Sequence, residues 1–231
     1  MPTILVTGAN RGLGLEFTRQ YAADGWQVFA ACRAPKTAKD LQRIAAESDG
    51  RVRVLEMDVT DAASLRAAAV GLKGETIDLV LNNAGVGGPS GQRIGGLDYA
   101  AWTHVFDVNT LGPMRVLEAF LENVANSRLK QVVTITSGMG SLEDNTSGGS
   151  YAYRSSKAAV NMVMKSLSID LASRGITCVV VNPGWVRTDM GGSRGTLSPT
   201  ESIQALRSVI ASLKPEDSGK FLNYTGKPYP W

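Results

Sequence analysis

Thr3-Ile4-Leu5-Val6-Thr7-Gly8-Ala9-Asn10-Arg11-Gly12-Leu13-Gly14 decides the fold. A short aliphatic and β-branched run, Thr3 to Thr7, meets glycine at once. A helical pattern carrying Leu15, Phe17, Tyr21 and Ala22 inward follows. An uninterrupted apolar run of this kind reads as a strand buried on both faces, as in a parallel sheet. Gln27 to Cys32 has the same character, so the opening is strand, glycine loop, helix and strand. In such a unit the helix N-terminus offers N–H groups and the positive end of its dipole to an anion. Residues lacking a Cβ let a dinucleotide pyrophosphate approach. Gly8, Gly12 and Gly14 are spaced G-x-x-x-G-x-G rather than G-x-G-x-x-G, with the same physical requirements.

The alternation continues along the chain. Thr37 to Glu47 reads as a helix and Val52 to Met57 as a strand; Thr60 is placed to cap a helix reaching Leu72, with Asp61 in its first turn. Ile77 to Leu81 is a fourth strand, followed by the glycine-rich loop Gly85 to Gly96. Asp98 caps a long helix from Tyr99 to Asn126, softly interrupted near Gly112-Pro113. Gln131 to Thr136 is a fifth strand, Gly138 to Ser150 a polar loop, and the next helix runs to Arg174, where Gly175 ends it. Ile176 to Val181 is a sixth strand. Ser198-Pro199-Thr200-Glu201 forms a capping box for a helix to Leu213, Lys220 to Tyr224 is a last strand, and Gly226 to Trp231 is a tail. The pattern predicts an α/β fold: a single Rossmann-type domain over 1–231, with a doubly wound parallel sheet of about seven strands and helices on both faces.

Composition narrows the function. The 231 residues are 43% hydrophobic and 19% charged, with 24 basic and 21 acidic side chains giving a net charge of +3. The basic residues form no run, so no nucleic-acid partner is expected. Cys32 and Cys178 both lie in strand-like runs and are expected as buried thiols of a reducing compartment. His104 is the only histidine and lies on an amphipathic helix, so neither a metal centre nor a histidine-based triad is expected. No apolar stretch is long enough to span a membrane, and Met1 leads directly into a strand-like run. A cytoplasmic protein is the expectation.

Chemistry gathers in the second half. Tyr153 and Lys157 stand four apart, on one face of a helix and one turn from each other. An ammonium beside a phenol favours the phenolate, so Lys157 is expected to lower the Tyr153 pKa and make the pair a proton-transfer centre. Ser137 follows the fifth strand, at the carboxyl edge where open α/β sheets bind ligands. Asn82-Asn83-Ala84-Gly85 follows the fourth strand, with asparagines able to brace loops and small residues beside a ligand. The end of the second strand bears Cys32 rather than the carboxylate that binds an NAD ribose; Arg33 follows, with Lys36 and Arg11 near in sequence. Positive charge there suits the 2′-phosphate of NADP. Trp185, Met190, Met139 and Tyr151 are candidates for an apolar substrate pocket, and glycine-rich Asp189 to Ser198 for a lid.

Thr7-Gly8-x3-Gly12-x-Gly14, Asn82-Asn83-Ala84-Gly85, Asn109, Ser137, Tyr153-x3-Lys157 and Pro183-Gly184 stand in an order that resembles the short-chain dehydrogenases/reductases, from Thr3 to about Tyr224. Tyr151-Ala152-Tyr153-Arg154-x-Ser156-Lys157, after Gly148-Gly149, looks most like the branch of C-factor and sniffer-type carbonyl reductases. The resemblance implies an NADP(H)-dependent reductase of aldehydes or ketones, preferring NADP(H) over NAD(H). Tyr153 would be the general acid/base, Lys157 would hold the nicotinamide ribose, Ser137 would bind the substrate oxygen, and Asn109 would hold a water in a proton relay. It further implies cofactor contacts from Gly8, Asn10, Arg11, Gly12, Leu13 and Gly14 at the phosphates and Arg33 at the 2′-phosphate. Asp58 and Val59 would meet the adenine, Asn83, Ala84 and Gly85 the ribose, and Pro183, Gly184, Val186 and Thr188 the nicotinamide side. Family members often assemble as homodimers or homotetramers through the helices at Thr103–Asn126 and Ala152–Arg174. One departure is the Ser137–Tyr153 spacing, a few residues longer than is usual; Ser137 is taken over Ser141 because it directly follows the strand. A dinucleotide-binding signalling or regulatory protein with little turnover is the alternative reading.

Overall fold

The computed structural model describes residues 1–231. Its strands are β1 (Thr3–Thr7), β2 (Gln27–Cys32), β3 (Val52–Glu56), β4 (Leu79–Asn82), β5 (Gln131–Ile135), β6 (Thr177–Asn182) and β7 (Phe221–Asn223). The helices are α1 (Gly12–Ala23), α2 (Lys39–Ala46), α3 (Ala62–Gly71), α4 (Tyr99–Phe106), α5 (Gly112–Ala125), α6 (Tyr151–Asp170) and α7 (Pro199–Ser212). The seven strands form one parallel sheet in the order β3-β2-β1-β4-β5-β6-β7. This is the doubly wound Rossmann-type arrangement, with apolar cores on both sides. Alternate residues of one strand face opposite ways: Ile4 and Val6 enter the core with Phe17, Leu41 and Leu206, while Leu5 enters the other with Phe29, Phe120 and Val160. No helix is long and apolar enough to cross a membrane.

The chain reverses direction across the sheet between β1 and β4, and that switch point is tied by side chains. The Thr7 hydroxyl accepts from the amides of Asn83 and Ala84, both at 3.0 Å, and the Asn83 amide group donates back to the Thr7 carbonyl at 2.9 Å. Helix α1 starts directly over this clamp. A Cβ on Gly14 would stand 2.2 Å from the Gly8 carbonyl oxygen and 2.5 Å from Asn83 Nδ2, so only glycine lets the helix start so close to the strand.

One local expectation is corrected. The cap of α3 is Asp61, whose Oδ1 accepts from the Ala63 amide at 2.8 Å. The Thr60 hydroxyl and amide are instead committed to Asp58 Oδ1, at 2.7 and 2.9 Å. The long helix from Tyr99 is interrupted near Gly112-Pro113 as the sequence reads, by a π turn at Asp107–Leu111 between α4 and α5. Pro113 has no N–H and deprives the carbonyl four residues back, that of Asn109, of its α-helical donor, which favours a local change of winding. The Ser198–Glu201 capping box forms as the sequence reads, with reciprocal bonds of 3.2 and 2.8 Å. Both cysteines are free and buried, and burial pushes the Cys178 thiol up to about 12.

Thr7→Val removes the acceptor of two half-buried amides while keeping the side-chain shape. It is expected to lower the unfolding free energy by about 1–3 kcal/mol in urea titration. An unchanged midpoint would mean that the β1–β4 clamp contributes nothing.

Candidate active site

Helix α6 places its functional residues on one face. Tyr153, Lys157 and Asn161 follow one another at one-turn spacing, and each meets the end of β5. Lys157 Nζ donates to the Ile135 carbonyl at 2.8 Å. Asn161 Oδ1 accepts from the Thr136 hydroxyl at 2.6 Å, and its Nδ2 donates to the Gly140 carbonyl at 3.4 Å. The Tyr153 phenol lies beside the Ser137 side chain, which favours its ionised form. Three consecutive residues, Ile135, Thr136 and Ser137, are thus matched to three turns of one helix. Ser137 Oγ also accepts from the Met139 amide at 3.1 Å, which fixes the short turn Gly138–Gly140. Ser141 is used differently: its hydroxyl donates to the Trp231 main-chain oxygen at 3.1 Å and accepts from the Asp144 amide at 3.0 Å.

The electrostatics depart from the expectation read from the sequence. Burial raises the Tyr153 pKa above its ordinary value, and Ser137 opposes this without overcoming it. The Lys157 ammonium lies 5.8 Å from the centre of the Tyr153 ring. Lys157 is itself 5% exposed, and burial brings it down to about 8. In this geometry desolvation governs both groups: it disfavours the phenolate on one and the cation on the other. The expected lowering of Tyr153 by Lys157 is therefore reversed.

The loop after β4 closes the other side. A Cβ on Gly85 would lie 3.3 Å from Asn109 Oδ1 and 3.8 Å from Lys157 Nζ, so this turn brings Asn109 and Lys157 together. Asn109 is buried in the π turn, with its amide braced: Oδ1 accepts from the Val86 amide at 2.8 Å, and Nδ2 donates to the Val86 carbonyl at 2.9 Å and to Ser156 Oγ at 3.0 Å. The Ser156 hydroxyl donates in turn to the Tyr153 carbonyl at 2.8 Å. The sequence reading quoted Thr7 and Ser156 as motif positions without giving either a role, and it did not name Asn161, whose one-turn spacing from Lys157 was its local signal.

The first glycine loop is shaped for an anion. Arg11 is the first residue before α1 and no side chain caps the helix. Asn10, Arg11 and Gly12 are exposed, Leu13 is half-buried, and Thr188 stands opposite, its Cγ2 3.8 Å from where a Cβ on Gly12 would be. Arg11 Nη1 pairs with Asp189 at 2.9 Å, linking this loop to the segment after β6. Arg33 is exposed just beyond β2. Burial pushes the Asp58 carboxyl up, but bonds from the Thr60 amide and hydroxyl, with the charges of Arg33 and His104, hold it below its usual range. Val59 is buried against Gly112. The uncapped helix start, reached over exposed Asn10, Arg11 and Gly12, fits a dinucleotide pyrophosphate.

The pocket candidates lie around this centre. Tyr151 stacks on Trp102 at 6.3 Å, and Trp102 stacks on Tyr99 at 6.1 Å. Met190 reaches over the β4 loop, 3.6 Å from where a Cβ on Gly87 would be. Trp185 is half-exposed and donates to the Gly191 carbonyl at 2.8 Å. Pro183 and Val186 are buried, Gly184 half-buried and Met139 half-buried. A recess of about 530 Å³ lies elsewhere, along α1 and α2. Its arginines Arg19, Arg43 and Arg51 pair with Glu16, Asp40 and Asp49, and it holds none of the Tyr153 cluster.

Residues 2–197 match the family model described as short chain dehydrogenase. The chain belongs to the short-chain dehydrogenase family. This short-chain dehydrogenase is 45% identical over 167 residues to the C-signal of Myxococcus xanthus, covering 72% of the chain and all of that protein. Its fold superimposes on the carbonyl reductase Sniffer of D. melanogaster with a TM-score of 0.94, at 32% identity and full coverage of both chains. It matches an NADPH-bound carbonyl reductase from chicken fatty liver with a TM-score of 0.93, at 35% identity, covering 100% of this chain and 99% of the other. These relatives agree with the C-factor and sniffer-type branch that the Tyr151–Lys157 signature resembles. As a member of this family the protein is an oxidoreductase.

The lowered Lys157 has a consequence for stability. The folded lysine loses its proton near pH 8, while an unfolded one keeps it to about 10.5. Between these values the unfolded state binds more protons, so stability rises with pH. The unfolding free energy of wild type relative to Lys157→Met is expected to climb from pH 8 to 10.5 in denaturant titrations. A flat difference would contradict the burial of a titrating ammonium.

Proposed function

We propose that this short-chain dehydrogenase is an NADPH-dependent carbonyl reductase that converts an aldehyde or ketone to an alcohol, reversibly. The observation that carries the reading is the convergence of Tyr153, Ser137 and Lys157 where β5 meets α6, beside a glycine loop open to phosphate. NADPH, when bound, supplies the hydride. The chain's residues do the rest. Tyr153 stays protonated at neutral pH because burial raises its pKa, and it donates its phenolic proton to the carbonyl oxygen. Ser137 bonds both the phenol and the same oxygen, stabilising charge as it builds there. Lys157, held on the Ile135 carbonyl and turned toward the Gly85 loop, grips the nicotinamide ribose. With a pKa of about 8 it passes a proton back to Tyr153 readily, through the water that Asn109 holds.

Gly8, Gly12 and Gly14 hold the pyrophosphate over α1, with Asn10, Arg11 and Leu13 alongside. Asp58 and Val59 flank the adenine, and Asn83, Ala84 and Gly85 the ribose. Pro183, Gly184, Val186 and Thr188 flank the nicotinamide. Arg33 in place of a carboxylate favours NADP(H) over NAD(H), a preference supported by the NADPH-bound chicken relative. Met139, Tyr151, Trp185 and Met190 give the substrate an apolar wall. The segment 189–198 acts as the lid, its base fixed by bonds from Leu197 to the Trp185 carbonyl at 3.0 Å and from Arg187 to the Leu197 carbonyl at 2.9 Å.

The 45% identity with a protein named C-signal favours a second reading, a dinucleotide-binding signalling protein with little turnover. NADPH binding followed by NADPH oxidation against aldehydes, ketones and diketones separates the two. Binding without turnover supports the second reading and defeats the first. If the first is correct, Tyr153→Phe lowers kcat by about 10²–10⁴-fold while NADPH still binds; full activity of that variant would sink the mechanism. Arg33→Ala is expected to raise KM for NADPH roughly tenfold, the contribution of one charge-assisted hydrogen bond, and to leave KM for NADH nearly unchanged. Equal effects on both cofactors would remove Arg33 from the 2′-phosphate site.

A further inference from the structure

The tail after β7 folds back onto the loop that carries Ser137. Pro228 bridges antiparallel to Leu222, and the Tyr229 amide donates to the Phe221 carbonyl at 2.8 Å. The rings of Tyr229 and Trp231 lie against Phe221, with centres 4.9 and 5.5 Å away. From this anchorage the tail grips the loop. The Trp231 main-chain oxygen accepts from the Leu142 and Glu143 amides at 3.0 and 2.9 Å and from the Ser141 hydroxyl at 3.1 Å. The Tyr229 hydroxyl donates to Asp144 Oδ2 at 2.6 Å. Tyr229 reaches that position over Gly138, the residue after Ser137. A Cβ on Gly138 would lie 2.5 Å from the Tyr229 hydroxyl oxygen and 3.0 Å from the ring carbon bearing it, so a side chain there would have to displace the Tyr229 ring.

The loop from Gly138 to Ser150 has little structure of its own beyond the turn Gly138–Gly140. Its position is therefore set by what it is bonded to. On one side Asn161 and the backbone of Lys157 press on Gly140. On the other stands the tail. The extra residues between Ser137 and Tyr153 fall within Leu142 to Gly149; the tail holds their first part, Leu142 to Asp144, and Arg154 holds Ser147 and Gly148. Burial and the facing Asp144 carboxylate push the Tyr229 phenol up to about 12, so it remains a donor across the neutral range.

We propose that Tyr229 is a positioning residue for Ser137: its ring against Gly138 and its hydroxyl on Asp144 fix the turn that aims the Ser137 hydroxyl at Tyr153. The role rests on the reading of Ser137 as the donor to the substrate oxygen. None of the tail bonds described here involves Tyr153, Lys157 or the glycine loop, so cofactor binding is left alone.

The test uses the full chain with Tyr229→Phe, which keeps the ring and deletes the hydroxyl, and Gly138→Ala, which displaces the ring. Three quantities are measured: kcat with NADPH and a reducible aldehyde, the Kd of NADPH by fluorescence, and amide hydrogen exchange of the peptide 138–144. Expected for Tyr229→Phe are a kcat lower by roughly tenfold, a Kd for NADPH within about twofold of wild type, and faster exchange across 138–144. Gly138→Ala should do the same or more. A kcat within about twofold of wild type, unchanged exchange, or a parallel loss of NADPH affinity would each overturn the proposal. If the wild-type protein reduces no carbonyl, the carbonyl-reductase reading fails instead. The clamp is then judged by exchange alone, and unchanged protection overturns it.

Discussion

The site depends on one helix face meeting one strand end. Helix α6 presents three side chains at one-turn intervals: Lys157 bonds to Ile135, Asn161 bonds to Thr136, and Tyr153 lies beside Ser137. Three side chains one turn apart must all reach the same strand end, so the arrangement holds only at one axial position of α6. A shift of α6 along its axis by a single residue would break all three contacts. The helix is buried through Ala152, Val160 and Met164 on the same side of the sheet as Phe120 and Val180, and this apolar packing holds the register.

The same burial sets the chemistry. Placing an ammonium and a phenol in one poorly solvated site raises the free energy of either charged form. Lys157 responds by titrating near neutral pH, Tyr153 by remaining a proton donor. For the proposed reductase this is the useful direction, since its tyrosine begins protonated. Ser137 beside the phenol works against the rise.

The remaining walls are built from backbone-directed polar side chains rather than from ion pairs. Thr7 and Asn83 lock the switch point of the sheet, Asn109 and Ser156 lock the β4 loop to α6, and the tail locks the serine loop. The Arg11–Asp189 pair across the cofactor side is exposed on both partners, and such pairs contribute little to stability.

By itself the sequence determined the alternation of seven strands and their helices, the position of the glycine loop after β1, and the shared face of Tyr153 and Lys157. All of these are periodic or local patterns, fixed by backbone geometry within a few residues. It also placed Gly175 and the Ser198–Glu201 box correctly, because caps are local too. The tertiary structure alone decided the rest. Asp61 rather than Thr60 caps α3 because Asp58 takes the threonine hydroxyl. The Tyr153 pKa rises rather than falls because desolvation depends on packing from distant segments. The tail Gly226–Trp231 became part of the serine loop's support because Phe221, Gly138 and Asp144 converge on Tyr229 from positions far apart in the chain. Burial and long-range hydrogen bonds belong to the folded arrangement, and no local period in the sequence records them.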